Sequence, residues 1–203
     1  DIDSDPNTAG VQPTTTTSAA NGTYSFSNIA PGNYQVVQTV PAGYVAINDV
    51  DGGDPTVIGN VTPIGVLPGQ TVSGRDFVDA QRGTISGTVR TDTDGNGTGD
   101  TAQSGVVLTL KDSSGNDIDS DPNTAGVQPT TTTSAPNGTY SFGSLPPGNY
   151  QVVQTVPGGF NAIGDADGGN FTVIGNVTPI TVLPGATVSG RDFVNQAPGA
   201  ITG

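Results

Sequence analysis

The sequence of 203 residues contains no cysteine, histidine, methionine or tryptophan, and all 18 of its acidic residues are aspartate. Without imidazole or thiolate, the chain cannot build a Ser/His/Asp or Cys/His catalytic group, nor a zinc site with nitrogen and sulfur ligands. Two aspartates could still share acid and base roles, but no pattern in the sequence shapes a substrate cleft around such a pair. We therefore expect that the protein is not an enzyme.

Positive charge is also scarce. Only five lysines and arginines oppose the 18 aspartates, and the formal net charge is −13. Nucleic acids and anionic membrane surfaces bind basic protein surfaces, so neither is an expected partner. No apolar run approaches the roughly 18 residues of a membrane-spanning segment, and membrane insertion is not expected. The aspartates cluster in short loops, which makes oxygen-binding divalent cations the natural counter-ions.

What the sequence has in abundance is turn residues, with 31 glycines and 16 prolines. Between the turns, Val, Ile, Tyr and Phe alternate with polar residues; this favours short β-strands over disorder, and no segment shows helical periodicity. In the second half of the chain the predicted strands are 84–90, 106–111, 130–134, 139–142, 150–156, 172–183 (one long or two short strands) and 187–194. Asn137-Gly138 is predicted to close a two-residue hairpin with positive φ at both positions. About seven strands in this length predict a Greek-key β-sandwich.

The chain repeats itself. Asp1–Gly87 matches Asp117–Gly203 at an offset of 116 residues, with about 67 of 87 positions identical, which indicates a tandem array of domains. We predict that residues 1–83 form an incomplete repeat lacking its first strands, that 84–199 form a complete repeat, and that 200–203 begin the first strand of a following repeat. The sequence is then a window on a longer array whose repeats are joined by short linkers.

The loop DTDGNGTGD at residues 92–100 has the spacing of a calcium-binding loop. Calcium takes six to eight hard oxygens, and alternate residues of a tight loop of this kind point inward together. The predicted ligands are Asp92, Asp94, Asn96 and Asp100 through side-chain oxygens and Thr98 through its carbonyl. Gln103 stands where such loops normally have a bidentate Glu, so the site either binds calcium weakly or borrows an acid from elsewhere. The alternative is an ordinary Asx- and Gly-rich connection between strands.

Two further aspartate clusters are weaker calcium candidates. The second cluster is Asp165 and Asp167, with Asp49, Asp51 and Asp54 as counterparts in the first repeat. The third cluster is Asp117, Asp119 and Asp121, again with carboxylates at alternate positions. Solvated turns are the alternative explanation for both.

Several motifs occur together in the order of a known family. DTDGNGTGDTAQSGVVLTLKDSSGN, NGTYSFGSLPPGNYQVVQTVPGGF, DADGG and RDFV resemble the B-type repeat of bacterial serine-aspartate-repeat adhesins, which is related to the collagen-adhesin B-type stalk module. The resemblance implies an all-β fold of tandem immunoglobulin-like or prealbumin-like sandwiches. It also implies calcium in the loop from Asp92 to Asp100 and a further site using acids such as Asp165 and Asp167. The Thr-rich insertion at 119–134 is longer than the resemblance leads us to expect.

We therefore predict a calcium-binding structural repeat of a secreted bacterial surface protein or extracellular fibre, acting as a rigid stalk with Ca²⁺ as its cofactor. Its partners are neighbouring repeats of the same array. One alternative is an adhesive module that binds a host protein or glycan. A second is a filament subunit that assembles with identical chains by strand exchange. The near-identity of the two repeats favours the structural stalk, because a domain that binds one particular ligand more often has a distinctive pocket.

Overall fold

In the computed structural model of the protein, the residues described are 14–120 and 126–202, and every regular element in these ranges is a β-strand. The all-β prediction is therefore confirmed. Nothing within these ranges forms a helix with the length and apolar character needed to cross a membrane. The candidate ligand Asp121 lies outside the described residues.

The chain forms two compact units. The first contains Asp1–Gln38 and Asn48–Phe77, and the second contains Thr39–Ile47 and Val78–Gly203. The strands up to residue 81 are β1 (Gly32–Tyr34), β2 (Val36–Val37), β3 (Tyr44–Asp49), β4 (Val57–Ile58), β5 (Ile64–Val66) and β6 (Phe77–Gln81). The later strands are β7 (Gly83–Asp92), β8 (Thr101–Ala102), β9 (Val107–Asp112), β10 (Thr131–Thr133), β11 (Thr139–Leu145), β12 (Gly148–Thr155), β13 (Asn161–Asp165), β14 (Val173–Ile174), β15 (Ile180–Val182), β16 (Thr187–Val188) and β17 (Phe193–Gln196).

Two sheets build most of the second unit. In one sheet, β9 lies between β10 and β12, and β14 and β15 both pair with the far side of β12. In the other, the order is β11-β7-β17-β13, with β8 and β16 also paired to β7. β16 and β17 run parallel to β7, while the other pairs are antiparallel.

The hydrophobic core of the second unit draws side chains from both sheets, which makes this unit a β-sandwich. The alternating sequences of β11 and β12 place every second side chain in this core, as the two-residue period of a strand requires. The buried cluster consists of Ile85, Val89, Val106, Leu108, Leu110, Tyr140, Phe142, Leu145, Tyr150, Val152, Ile174, Ile180, Val182 and Phe193. Removal of this apolar surface from water is the main force that holds the sheets together.

The first unit contains smaller pairings. β1 pairs with β5 and β2 pairs with β4, both antiparallel, and they correspond to the pairing of β12 with β15 and β14. Ile58 is fully buried and Ile64 is 8% exposed. β3 and β6 form another two-stranded sheet, of which residues 44–47 and 78–81 belong to the second unit.

The predicted hairpin at Asn137-Gly138 is wrong. β10 and β11, the strands on either side, belong to different sheets. Only Gly138 has a positive φ, at 78°, and its N–H donates to the carbonyl of Ala135 at 2.8 Å. The turn therefore carries the chain from one sheet of the sandwich to the other, a choice that depends on distant strand partners. Residues 200–202 adopt no regular secondary structure, and the predicted repeat boundaries stay predictions.

Candidate metal site

The loop at residues 92–100 is organised around Asp92, the last residue of β7, whose side chain is only 2% exposed. Its Oδ1 accepts hydrogen bonds from the N–H groups of Asp94 at 3.2 Å and Gly95 at 2.7 Å, and its Oδ2 accepts from the N–H of Gly97 at 2.8 Å. Gly95 and Gly97 have φ values of 80° and 84°, in the left-handed region that glycine adopts without strain. The two glycines thus let the backbone wrap around one carboxylate.

Three carboxylates converge in this loop. One oxygen from each of Asp92, Asp94 and Asp100 lies within 4.8 Å of the other two. Calcium binds oxygens at about 2.3–2.6 Å, so two ligands of one ion lie at most about 5 Å apart. The spacing and the all-oxygen chemistry of this group therefore fit a calcium ion. Among the residues that the structure describes, this is the one group of three acidic side chains close enough to share an ion.

The other two predicted ligands bond to each other. Asn96 Oδ1 accepts hydrogen bonds from the N–H of Thr98 at 2.8 Å and from its hydroxyl. The Asn96 side-chain amide in turn donates to Asp94 Oδ2 at 2.9 Å. Asn96 thereby ties the exposed tip of the loop to one of the three converging carboxylates.

Two carboxyl groups of the loop, those of Asp92 and Asp100, are stabilised as anions. Burial raises the pKa of the Asp92 carboxyl, but hydrogen bonds from Gly97, Gly95 and Asp94 outweigh it and leave the pKa below its usual value. The main-chain N–H and the hydroxyl of Thr93 donate to Asp100 Oδ2 at 2.7 and 2.8 Å and lower its pKa as well. Hydrogen bonds to the charged form are the common cause, so both groups are negatively charged at neutral pH.

Two residues outside the acidic group shape the loop. Arg90 donates from Nε to the carbonyl of Gly99 at 3.0 Å and from Nη2 to the carbonyl of Asp100 at 3.1 Å. These bonds fix the end of the loop just before β8. Gln103 is 8% exposed, and its Oε1 accepts a hydrogen bond from Asn195 Nδ2 at 2.8 Å. Asn195 also donates to Gln154 Oε1 at 3.0 Å. The side chain of Gln103 therefore belongs to a buried amide cluster, which sequence reasoning missed because no local pattern marks it.

The second aspartate cluster lies where β13 ends. Asp165 Oδ1 accepts from the N–H groups of Asp167 at 3.2 Å and Gly168 at 2.6 Å, and Asp167 Oδ2 accepts from the N–H of Gly175 at 2.8 Å. The remaining oxygens, Asp165 Oδ2 and Asp167 Oδ1, are buried and have no hydrogen-bond partner. Burial raises the pKa of Asp165 in spite of its N–H donors, and the charge of Asp167 adds to the rise. Buried oxygens of this kind are rare because desolvation without a partner is costly.

The same arrangement recurs in the first unit. Asp49 Oδ1 accepts from the N–H groups of Asp51 at 3.0 Å and Gly52 at 2.6 Å, and Asp51 Oδ2 accepts from the N–H of Gly59 at 2.7 Å. Asp49 Oδ2 and Asp51 Oδ1 are again buried without a partner. Asp54 Oδ1 accepts from the N–H and hydroxyl of the nearby Thr56, and a metal role for Asp54 stays a prediction.

The third cluster is arranged differently. The carboxylate of Asp117 accepts a hydrogen bond from Lys111 Nζ at 2.7 Å in a partly exposed ion pair. Asp119 Oδ1 accepts from the N–H of Gln128 at 3.1 Å, across an isolated bridge between Asp119 and Pro129. In the described residues these contacts support the long Thr-rich insertion, and a metal role for Asp117, Asp119 and Asp121 stays a prediction.

Two sheets around one core, near-identical tandem sequence and acid-lined turns at strand ends define a β-sandwich repeat module. The model of the SdrD B-like domain family matches residues 4–76 and 83–196. The chain belongs to this family, as the motifs predicted, and it is therefore part of a secreted, extracellular surface protein.

Curated relatives are much longer than this chain. It is 34% identical over 144 residues to serine-aspartate repeat-containing protein F of Staphylococcus epidermidis, a match that covers 68% of the chain and 8% of that protein. It is 28% identical over 172 residues to serine-aspartate repeat-containing protein E of Staphylococcus aureus, covering 78% of the chain and 14% of that protein. Colossin-A of Dictyostelium discoideum is 27% identical over 160 residues, covering 73% of the chain and 1% of that protein.

Solved structures give more distant likenesses. The minor pilin GBS52 of Streptococcus agalactiae has 14% sequence identity and a TM-score of 0.43, with 87% of this chain and 65% of that chain covered. The Bacillus anthracis TIE protein has 19% identity and a TM-score of 0.41, with 89% of this chain and 28% of that chain covered.

Proposed function

We propose that the protein is a calcium-stabilised spacer in a surface stalk or fibre, with a mechanical and not a catalytic role. The observation that carries the proposal is the convergence of Asp92, Asp94 and Asp100, whose oxygens lie within 4.8 Å of one another. The proposed partners are neighbouring repeats of the same array.

Electrostatics favours an ion in this loop. Three carboxylates at such short range repel one another, and the whole chain already carries a formal charge of −13. A bound calcium ion supplies two positive charges and joins ligands from different points of the chain. Asp92 ends β7 and Asp100 immediately precedes β8, so Asp92, Asp94 and Asp100 would hold the ion and the ion would fasten the two ends of the loop.

The second cluster supports a further cation site in each repeat. Asp165 Oδ2 and Asp167 Oδ1, like Asp49 Oδ2 and Asp51 Oδ1, are buried oxygens without a partner, and Asp49 is only 7% exposed. A cation would satisfy both oxygens of a pair. Because Asp167 also accepts a hydrogen bond from Gly175, such an ion would link the turn after β13 to the turn after β14.

Calcium titration of the full chain tests the proposal. We expect saturable binding of Ca²⁺ by calorimetry and a higher Tm with Ca²⁺ than with EDTA, because a ligand that binds only the folded state stabilises it. Asp94→Asn is the sharpest variant for the first site, since Asp94 is exposed and its loss spares the loop-organising Asp92. Asp167→Asn addresses the second site.

Asp112→Asn is the matched control, because Asp112 caps a turn at Ser114 and Asn116 and is not among the proposed ligands of either site. It should bind calcium like the wild type, whereas Asp94→Asn and Asp167→Asn should each remove or weaken one site. If the wild type takes up no Ca²⁺ and EDTA leaves its Tm unchanged, the proposal is wrong.

A further inference from the structure

A single residue, Arg82, separates β6 from β7 and makes contacts on both sides. Its N–H donates to the carbonyl of Gly43 at 2.8 Å and its Nε donates to the carbonyl of Tyr44 at 3.0 Å. On the other side, its Nη1 donates to the carbonyl of Ser144 at 2.9 Å. Gly43 and Tyr44 belong to the first repeat of the sequence and Ser144 to the second, yet all four residues lie in the second compact unit.

The acceptor on the second repeat, the carbonyl of Ser144, lies in a β-bulge of β11. The register of β11 against β7 shifts between Phe142 and Leu145, and Ser144 within this bulge has a φ of 58°. A left-handed non-glycine residue is uncommon and is maintained only where the surroundings hold it. The equivalent position in the first repeat, Asn28, has a φ of 59°. The left-handed conformation therefore recurs at the equivalent position of the first repeat, although Asn28 lies outside the regular strands there. In β11 the bulge presents the Ser144 carbonyl outside the regular strand ladder.

The backbone beside Arg82 is also held by the second repeat. The N–H of Gly185 donates to the carbonyl of Gln81 at 3.0 Å, and the N–H of Thr84 donates to the carbonyl of Ala186 at 2.9 Å. Gly83 lies so close to this turn that a Cβ would be 2.5 Å from Val182 Cγ1 and 2.6 Å from the Ala186 carbonyl. The connection is thus packed into the sandwich of the second repeat and does not run free as a hinge.

The equivalent position of the second repeat lacks the groups to make these contacts. Pro198 occupies the position equivalent to Arg82, and proline has neither a main-chain N–H nor a guanidinium group. The equivalent strands also differ in length: β6 continues to Gln81, whereas β17 ends at Gln196, one position earlier in the repeat.

We propose that Arg82 is a latch between repeats, which fastens the last strand pair of one repeat to the β11 bulge of the repeat that follows. The strand pair is formed by residues 44–47 of β3 and 78–81 of β6, and the receptor is the carbonyl of Ser144. Proline at the equivalent position, Pro198, supplies neither the N–H nor the guanidinium group that the latch uses. The latch does not depend on calcium in the loop at residues 92–100.

Hydrogen exchange of the full chain tests the latch. In Arg82→Ala, amides in residues 39–47 and 78–82 are expected to exchange about tenfold faster, as follows from the loss of hydrogen bonds from a charged donor. Amides of β12, in the core of the second unit, should keep their protection. Arg82→Pro, which copies Pro198, should accelerate exchange further because it also removes the N–H that donates to Gly43.

Arg75→Ala is the control, since it removes an arginine of the first compact unit and should leave these amides unchanged. Each experiment is run with Ca²⁺ and with EDTA, and the effect of Arg82→Ala is expected in both. Wild-type protection of residues 39–47 in Arg82→Ala overturns the latch. An equal loss of protection in β12 also overturns it, because Arg82 would then support the whole unit and not one junction.

Discussion

The two repeats have nearly the same sequence, yet they differ in how deeply equivalent side chains are buried. Phe142 is 4% exposed and Val152 is fully buried, whereas their equivalents Phe26 and Val36 are half-buried. In the second repeat, β7 and β9 pair with the strands that carry Phe142 and Val152. In the described part of the first repeat, β2, which carries Val36, pairs with β4 alone, and Phe26 lies outside the regular strands. Burial is therefore a property of the partner strands and not of the local sequence.

Local hydrogen bonds, by contrast, are the same in both repeats. Tyr140 donates from its hydroxyl to the carbonyl of Arg191 at 2.5 Å, and Tyr24 donates to the carbonyl of Arg75 at the same distance. The turns around the second aspartate cluster also agree in their donors and acceptors. These equivalent hydrogen bonds are thus present in both repeats, even though the surrounding sheets differ.

The largest expected difference between the repeats follows from truncating the equivalent phenylalanines, Phe142 and Phe26. Phe142→Ala should destabilise the second unit by about 3–5 kcal/mol, the usual result of emptying a buried aromatic site. Phe26→Ala should have a clearly smaller effect, because its side chain already contacts water. Chemical denaturation with hydrogen exchange as a local readout would measure both, and equal losses would contradict the contrast.

Glycines that allow close backbone approach should behave alike in both repeats. Gly175 and Gly59 have φ values of 98° and 95°, and an added Cβ would lie 2.6 and 2.7 Å from the carbonyls of Tyr150 and Tyr34. Gly175→Ala and Gly59→Ala should each destabilise their unit by about 2 kcal/mol, from strain and steric overlap. Gly105→Ala is the control, since its φ is 77° but a Cβ would meet open space. A large difference between Gly175 and Gly59 would show that the surrounding sheet controls even this local geometry.

Removal of the tyrosine hydroxyls should have a smaller effect. Burial raises the pKa of the Tyr140 phenol far above its usual value, so the hydroxyl stays protonated and keeps donating to Arg191. Tyr140→Phe should cost about 1 kcal/mol, because it leaves a carbonyl without its partner. Tyr24→Phe should cost less, since water can replace the hydroxyl at this more exposed site. Thermal unfolding of the two variants would reveal the order, and the reverse order would refute it.

The smallest expected effect is a pH dependence at Asp112, the last residue of β9. The side chain and main chain of Asn116 donate to Asp112 and lower its pKa. Its contribution to stability is then present above the usual carboxyl pKa of about 4 and is lost as pH falls through the lower folded value. Asp112→Asn should flatten the stability profile below about pH 4. An unchanged profile in the variant would show that the turn contributes nothing to acid sensitivity.

Sequence periodicity located most strands between residues 84 and 199 correctly. The predicted strands at 84–90, 106–111 and 150–156 correspond to β7, β9 and β12, and the segment at 172–183 divides into β14 and β15. β8 and β13 were not predicted. β8 has two residues, and β13 has the sequence NAIGD, so neither contains an alternating pattern to detect. β13 is held in place by its pairing with β17.

The sequence by itself determined the repeat, the all-β class, the family and the aspartate-rich loops, because each depends on residue types and spacings within a short stretch of chain. Only the tertiary structure decided that the turn at Asn137-Gly138 joins two sheets, that Gln103 faces Asn195, and that Arg82 meets the carbonyl of Ser144. Each of these contacts joins parts of the chain far apart in sequence, or depends on strands that are. Strand pairing between such segments depends on which apolar faces bury one another, and a local pattern of residues does not contain that information.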